Sequence, residues 1–128
     1  MNSRLDAYLQ TIGEVPPAIA AMNRADPQVL DGFLTMREAI MSDKDDGLPF
    51  KYKELIFVLL DLLAGNLDGA RLHLGAGLDA GLTRTALSEA LFQVMLLHGL
   101  KTWGLGGHQL LAFADEHLAK TTGASDDA

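Results

Sequence analysis

The sequence has no cysteine among its 128 residues. This absence excludes disulfide bonds, thiolate metal ligands and thiol redox catalysis together. Any chemistry that the chain performs must therefore rely on histidine, carboxylates and arginine, and only four histidines are present.

Basic residues are also few, with 10 Lys and Arg against 17 Asp and Glu and a net charge of −7. Nucleic acids need a basic surface, so we expect no nucleic-acid partner. An acidic surface also repels anionic lipid. A small anionic ligand is compatible with this balance if one Arg or Lys serves it locally.

No apolar run is long enough to span a bilayer. The most apolar one, residues 55–64, is interrupted by Asp61 and is about half of the ~20 residues required. The start Met1-Asn2-Ser3-Arg4 has no apolar signal-peptide core. We therefore expect no membrane partner and a cytoplasmic location.

Apolar residues make up 48% of the chain, which is rich for 128 residues. The length fits one domain over residues 1–128, with a single hydrophobic core. Surplus apolar surface on a small helical protein is typically buried between subunits. We therefore expect an oligomer.

Helix signals divide the chain, and no strand-like alternation is present. The predicted class is all-α, a compact bundle of about six helices. Asp26-Pro27 and Thr83 are predicted N-terminal caps, and Gly81 is a predicted C-terminal glycine. The predicted helices cover residues 18–23, 27–40, 49–64, 68–80, 83–98 and 108–120, with a flexible tail over 121–128.

The third predicted helix is apolar almost all round but carries two carboxylates, Glu54 and Asp61. Residues seven apart lie on nearly the same helix face. Carboxylates on a buried helix need partners, and two interpretations are open. They belong to a functional site, or each of them caps a neighbouring helix or pairs with a Lys or Arg across an interface.

The fourth helix contains Arg71, His73, Gly75 and Gly77. Glycines inside a helix indicate close approach of a second helix or, less often, of a ligand. Arg71 and His73 are two residues apart, so their side chains diverge by about 160°. They share a narrow pocket only with a contribution from another subunit or a long Arg reach.

The remaining histidines give weaker signals. His98 lies in line with Leu87 and Leu91, where a hydrogen-bonded core histidine is the commoner outcome. His108 follows the glycine-rich stretch 103–107, which we expect to be a turn and which lacks the features of a phosphate-binding loop. His117 is predicted at the surface. No histidine pair has the i, i+4 spacing of a helical metal motif, so we expect no metal.

Several segments together resemble the carboxymuconolactone decarboxylase and alkyl hydroperoxidase D-like superfamily. They are residues 48–56 (Leu-Pro-Phe-Lys-Tyr-Lys-Glu-Leu-Ile), 70–73 (Ala-Arg-Leu-His), 80–83 (Ala-Gly-Leu-Thr) and Glu89, with Val15-Pro16 and Asp26-Pro27 upstream. The resemblance covers about residues 13–115. It implies an alkyl hydroperoxidase D-like helical subunit that assembles into a homotrimer or homohexamer, with its site at a subunit contact.

The resemblance also separates two branches of the superfamily. In the peroxidase branch a Cys-x-x-Cys pair occupies the positions of Asn66 and Gly69, so that activity is excluded here. The decarboxylase branch has a Leu-Arg-x-His element, which Arg71 and His73 match. Two departures, Thr85-Ala86 in place of an acidic pair and Leu97-His98 in place of an aromatic, leave the substrate unspecified.

What the resemblance implies is a cofactor-independent lyase that decarboxylates a small carboxylated lactone or related anionic acid, as in the catabolism of aromatic compounds. His73 would be the general acid, Arg71 would hold a carboxylate or oxyanion, and Glu54 would orient His73. His98, Asp61 and Trp103 are candidate substrate-binding residues. The alternatives are an isomerase or hydrolase with the same proton-transfer pair, and a non-catalytic oligomeric protein that binds a ligand or partner.

Overall fold

The structure, a computed structural model, describes residues 3–126, and every regular element within them is helical. The all-α prediction is confirmed. A single 3-10 turn (Ser3–Leu5) precedes helices α1 (Asp6–Thr11), α2 (Pro17–Ala25), α3 (Pro27–Met41), α4 (Phe50–Ala64), α5 (Leu67–Asp79), α6 (Arg84–His98) and α7 (Leu100–Thr102), a π-helical segment (Trp103–Gly107) and α8 (His108–Asp126).

The helix starts follow local capping chemistry. The Asp26 side chain accepts a hydrogen bond from the Gln28 backbone at 3.0 Å, and Thr83 accepts one from Ala86 at 3.1 Å. Both predicted caps are confirmed. Asn66 also caps α5 by accepting from the Gly69 backbone at 3.1 Å. This cap, which the sequence analysis missed, places the start of α5 at Leu67.

Helix α5 ends in a Schellman motif, as Gly81 predicts. Gly81 has φ +102°, where a residue with a Cβ would be strained. Its N–H donates to the Leu78 carbonyl at 3.0 Å, and the Leu82 N–H donates to the Gly77 carbonyl at 2.9 Å. Two backbone carbonyls near the end of α5 thus accept hydrogen bonds from the first two residues after the C-cap.

The chain divides into two compact units, Met1–Leu48 and Pro49–Ala128. In the first unit, α1, α2 and α3 bury apolar side chains: Leu5, Tyr8, Ile12, Ile19, Leu30 and Leu34. The Arg37 guanidinium lies 4.2 Å from the Tyr8 ring centroid. The prediction of one domain over residues 1–128 stays a prediction.

The second unit contains all the candidate site residues. Helix α4 packs along α5, and α8 packs against both α5 and α6. Their core is mainly leucine: Val58, Leu62, Ala70, Leu74, Leu78, Leu82, Leu87, Leu91, Leu110 and Ala114. Arg84 ties the start of α6 to α8 through two hydrogen bonds to Asp115, of 2.6 and 3.3 Å.

The stretch Trp103–Gly107 is a π-helical segment and not the expected turn. Its glycines explain the difference, because Gly106 and Gly107 are buried at a crowded contact. A Cβ on Gly106 would lie 2.5 Å from Leu62 Cδ1, and one on Gly107 would lie 3.0 Å from the Trp103 ring. Gly106 therefore lets this helical segment pass close to Leu62 of α4.

One helix and one helix end also differ from the sequence analysis. Helix α1 was not expected, and α8 continues to Asp126 rather than ending at Lys120. The flexible tail over 121–128 stays a prediction, and residues 127 and 128 lie outside the described part. Across residues 3–126, no helix has the length and apolar character needed to cross a membrane.

Candidate functional site

Glu54 and His73 meet between α4 and α5. Glu54 is fully buried in the middle of an apolar helix, and its Oε2 lies 2.7 Å from His73 Nδ1. An ionised carboxylate only accepts, so Nδ1–H is the donor when Glu54 is charged. This bond fixes which ring nitrogen carries a proton and leaves Nε2 for another partner. The structure thus joins two of the three predicted catalytic residues.

The Glu54 carboxylate depends on this one contact. Its second oxygen, Oε1, is buried and has no hydrogen-bond partner in the described part of the chain. An unpaired buried acceptor costs about 1–3 kcal/mol, and more when it is charged. His73, with 20% of its side chain exposed, is therefore the one described residue that offsets burial of the Glu54 charge.

Phe57 completes the group from the same face of α4, one turn after Glu54. Its ring centroid lies 4.7 Å from that of His73, with 43° between the ring planes. Gly77 lies at this contact, where a Cβ would be 3.4 Å from the Glu54 Cβ, the near limit of ordinary van der Waals contact. We call Glu54, His73 and Phe57 the inner histidine cluster. The sequence analysis missed Phe57, although its i, i+3 spacing from Glu54 was a usable signal.

Arg71 is not brought to His73. Its guanidinium forms an ion pair with Asp68 at 3.2 Å on the exposed side of α5. No hydrogen bond or ion pair joins Arg71 to His73 among the described residues. The side chains of Arg71 and His73 therefore diverge on α5, as their spacing of two residues predicts.

Asp61 lies at the other end of the α4–α5 contact. Its Oδ1 is 3.5 Å from Asn66 Nδ2, and its backbone carbonyl accepts from the Asn66 N–H at 2.8 Å. A Cβ on Gly69 would lie 2.8 Å from Asp61 Oδ2. Asp61 thus occupies space beside the cap of α5, next to Asn66 and Gly69.

His98 is exposed at the last position of α6, so the expectation of a core histidine is wrong. The neighbouring Leu87 and Leu91 are buried, but the helix leaves the core before it reaches residue 98. His98 borders an apolar groove of about 290 Å³. The other groove residues are Leu59, Leu63, Ala90, Gln93, Val94 and Leu97.

Trp103 packs against the core of the second unit and contacts other aromatic rings. Its centroid is 5.1 Å from Phe92 and 6.2 Å from His108, which is itself exposed. No described contact joins Trp103 or His98 to His73. The substrate-binding roles predicted for His98, Asp61 and Trp103 stay predictions.

His117 forms a second histidine–carboxylate pair that the sequence analysis missed. Its Nε2 lies 2.8 Å from Asp79 Oδ1, and its ring stacks on Phe113 at 5.8 Å with 30° between planes. With 27% of its side chain exposed, His117 is more buried than the surface position predicted for it. We call Asp79, His117 and Phe113 the outer histidine cluster.

The carboxymuconolactone decarboxylase family model matches residues 27–103, more than half of the chain. The chain belongs to this family. The match includes the whole inner histidine cluster and ends before Phe113 and His117.

No group of three or more His, Asp or Glu side chains suited to a metal ion occurs between residues 3 and 126.

A crystal structure supports membership of the carboxymuconolactone decarboxylase family. It is that of a protein from Burkholderia xenovorans LB400 that carries the provisional name carboxymuconolactone decarboxylase. The two chains are 29% identical, with a TM-score of 0.84 over 94% of this chain and 92% of the other. A search of curated proteins finds no significant match.

Proposed function

We propose that this chain is a cofactor-independent carboxy-lyase that acts on a small carboxylated lactone or a related anionic acid. One observation carries the proposal: a fully buried Glu54 carboxylate holds Nδ1 of a partly exposed His73 at 2.7 Å. A partly exposed histidine that is anchored at one ring nitrogen is suited to proton transfer through the other.

The proposed reaction uses this histidine–carboxylate pair. The substrate's carbon–carbon bond to its carboxylate breaks, CO2 leaves, and the electron pair passes into an adjacent unsaturated carbonyl as a dienolate. Nε2–H of the His73 imidazolium then protonates carbon, and solvent returns a proton to the ring. Glu54 stays anionic and keeps its hydrogen bond to Nδ1 throughout.

Arg71 holds a substrate carboxylate or the developing oxyanion in this proposal, because its planar fork matches either. Its present partner Asp68 is 98% exposed, and exposed ion pairs contribute little stability. A bound carboxylate can therefore displace Asp68 at small cost.

The site lies at a contact between subunits of a trimer or hexamer, where His98, Asp61 or Trp103 reaches the substrate.

The test is turnover of a panel of carboxylated lactones and muconate-type acids, followed by CO2 release. The wild type is compared with His73→Gln, and His117→Gln is the matched control from the outer cluster. His73→Gln is expected to lower kcat by about 10²- to 10⁴-fold, whereas His117→Gln keeps wild-type turnover. Undiminished turnover by His73→Gln would reject the proposal.

A second candidate function, a non-catalytic binding or interaction protein, is favoured by a different observation. Four leucines near the end of α6 and in the segments after it are largely exposed: Leu96, Leu97, Leu100 and Leu105, the first two at 85%. Exposed apolar side chains in such number mark a contact surface. Loss of self-association in Leu96→Lys would show that these leucines form a subunit contact, which both functions allow. Absence of turnover across the panel by the self-associated wild type would favour the binding function over the lyase.

A further inference from the structure

We infer that Phe57 is a positioning residue for His73: its ring fixes the plane of the imidazole, while Glu54 fixes one nitrogen. The inference rests on the proposed function, because it assigns a third residue to the same site. It concerns the tilt of the His73 ring, which the Glu54–His73 hydrogen bond alone does not fix.

One hydrogen bond does not orient an imidazole. The bond between Glu54 Oε2 and His73 Nδ1 sets the position of a single ring atom at 2.7 Å. The ring can still tilt about that point, and each tilt aims Nε2 in a different direction. A second contact, away from Nδ1, is needed to select one direction.

Phe57 supplies this contact. The centroid distance of 4.7 Å is at the close end of the 4.5–7 Å range of interacting aromatic pairs. Phe57 and Glu54 are three apart on α4, so the helix itself fixes the spacing between the two restraints. His73 is thus held on one side by a charge and on another by a ring, both from one rigid element.

The rate of proton transfer depends strongly on this orientation. A misplacement of about 1 Å in a reacting group can cost roughly 10²-fold in rate. The phenyl ring of Phe57 has no group that can give or take a proton. Its effect therefore reaches the reaction through the orientation of His73.

The outer histidine cluster offers a matched control, since Phe113 contacts His117 in the same unit at 5.8 Å. The experiment compares Phe57→Leu, Phe57→Tyr and Phe113→Leu in the full chain, by long-range proton–nitrogen NMR of the imidazole nitrogens. Phe57→Leu is expected to shift and broaden the Nδ1 and Nε2 signals of His73 while those of His117 stay in place. Phe57→Tyr, which keeps the ring, restores the His73 signals, and Phe113→Leu moves only those of His117.

Unchanged His73 signals in folded Phe57→Leu would overturn the inference, as would equal shifts of His73 in Phe113→Leu. If Phe57→Leu does not fold, Phe57→Met is the second ringless variant, and the same two outcomes apply. The NMR measurement needs no substrate, so its failure is distinct from failure of the lyase proposal, which His73→Gln decides. With a substrate found, Phe57→Leu is expected to lower kcat at least about tenfold with KM nearly unchanged.

Discussion

The inner and outer histidine clusters contain the same kinds of residue in nearly the same contact, yet their surroundings differ. Both pair a carboxylate with an imidazole nitrogen, at 2.7 Å for Glu54–His73 and 2.8 Å for Asp79–His117. Glu54 is fully buried, whereas the Asp79 side chain is 65% exposed. Bond length alone therefore says little about what each pair does.

The difference in burial has a physical consequence. Water can solvate Asp79 whenever His117 moves away, and salt screens their attraction. Solvent cannot replace His73 beside the buried Glu54, so the Glu54 charge is compensated only while His73 stays in contact with it. A mobile exposed pair can tie two helices, but only the buried pair forces a histidine to stay in one place.

Removing one histidine from each cluster should produce the largest contrast. His73→Ala leaves the buried Glu54 carboxylate without its partner, and we expect the free energy of unfolding to fall by about 3 kcal/mol. His117→Ala leaves a solvated Asp79, and the loss should be under about 1 kcal/mol. Denaturant unfolding of both variants measures the contrast, and equal losses would show that burial does not separate the clusters.

Replacing both members of the inner pair should recover most of that loss. The double variant Glu54→Leu/His73→Leu leaves no buried charge, and its stability is expected within about 1 kcal/mol of the wild type. Its turnover should nevertheless be absent. A double variant as unstable as His73→Ala would mean that the pair itself, and not an orphaned charge, stabilises the fold.

Gly75→Ala probes the side of α5 that faces the outer cluster. A Cβ at this position would lie 3.6 Å from His117 Cε1, an ordinary contact. Alanine is favoured over glycine inside a helix, so unfolding should become harder by about 0.5–1 kcal/mol. Thermal unfolding measures the gain, and a lower Tm would show that His117 cannot accommodate the methyl group.

The smallest expected effect concerns Arg84 and Asp115, half-exposed partners in the same region as the outer cluster. The hydrogen bond from Arg84 holds the pKa of Asp115 below its ordinary value. A carboxylate with a lowered folded-state pKa contributes stability above its unfolded pKa of about 3.9 and loses it as the pH falls through the folded value. Arg84→Met should therefore lower Tm slightly at pH 7, and the difference from wild type should vanish toward pH 2. A difference that grows on acidification would contradict this assignment.

Local chemistry made much of the fold predictable. The caps at Asp26 and Thr83 and the glycine at position 81 act within a few residues, so their signals are complete in the sequence. The seven-residue spacing likewise places Glu54 and Asp61 on the face of α4 that meets α5. The prediction that Glu54 orients His73 is matched by a contact, while its role in catalysis stays a prediction.

Contacts between distant residues were not predictable in the same way. His117 and Asp79 are 38 residues apart, and only the docking of α8 on α5 brings them together. The exposure of His98 could not be predicted either, because periodicity does not show where a helix leaves its neighbours. The π-helical segment was missed because glycines usually mark turns, whereas here they relieve crowding inside a helix.

That segment, Trp103–Gly107, also sets the rotational phase of everything after it. A π turn holds one residue more than an α turn, and one residue corresponds to about 100° of rotation. Deleting Gly104 would restore an α turn and swing Leu110 and Ala114 out of the core by that angle. His117 would lose its partner Asp79 on α5 in the same motion, while the inner cluster, which lies wholly on α4 and α5, would keep its register.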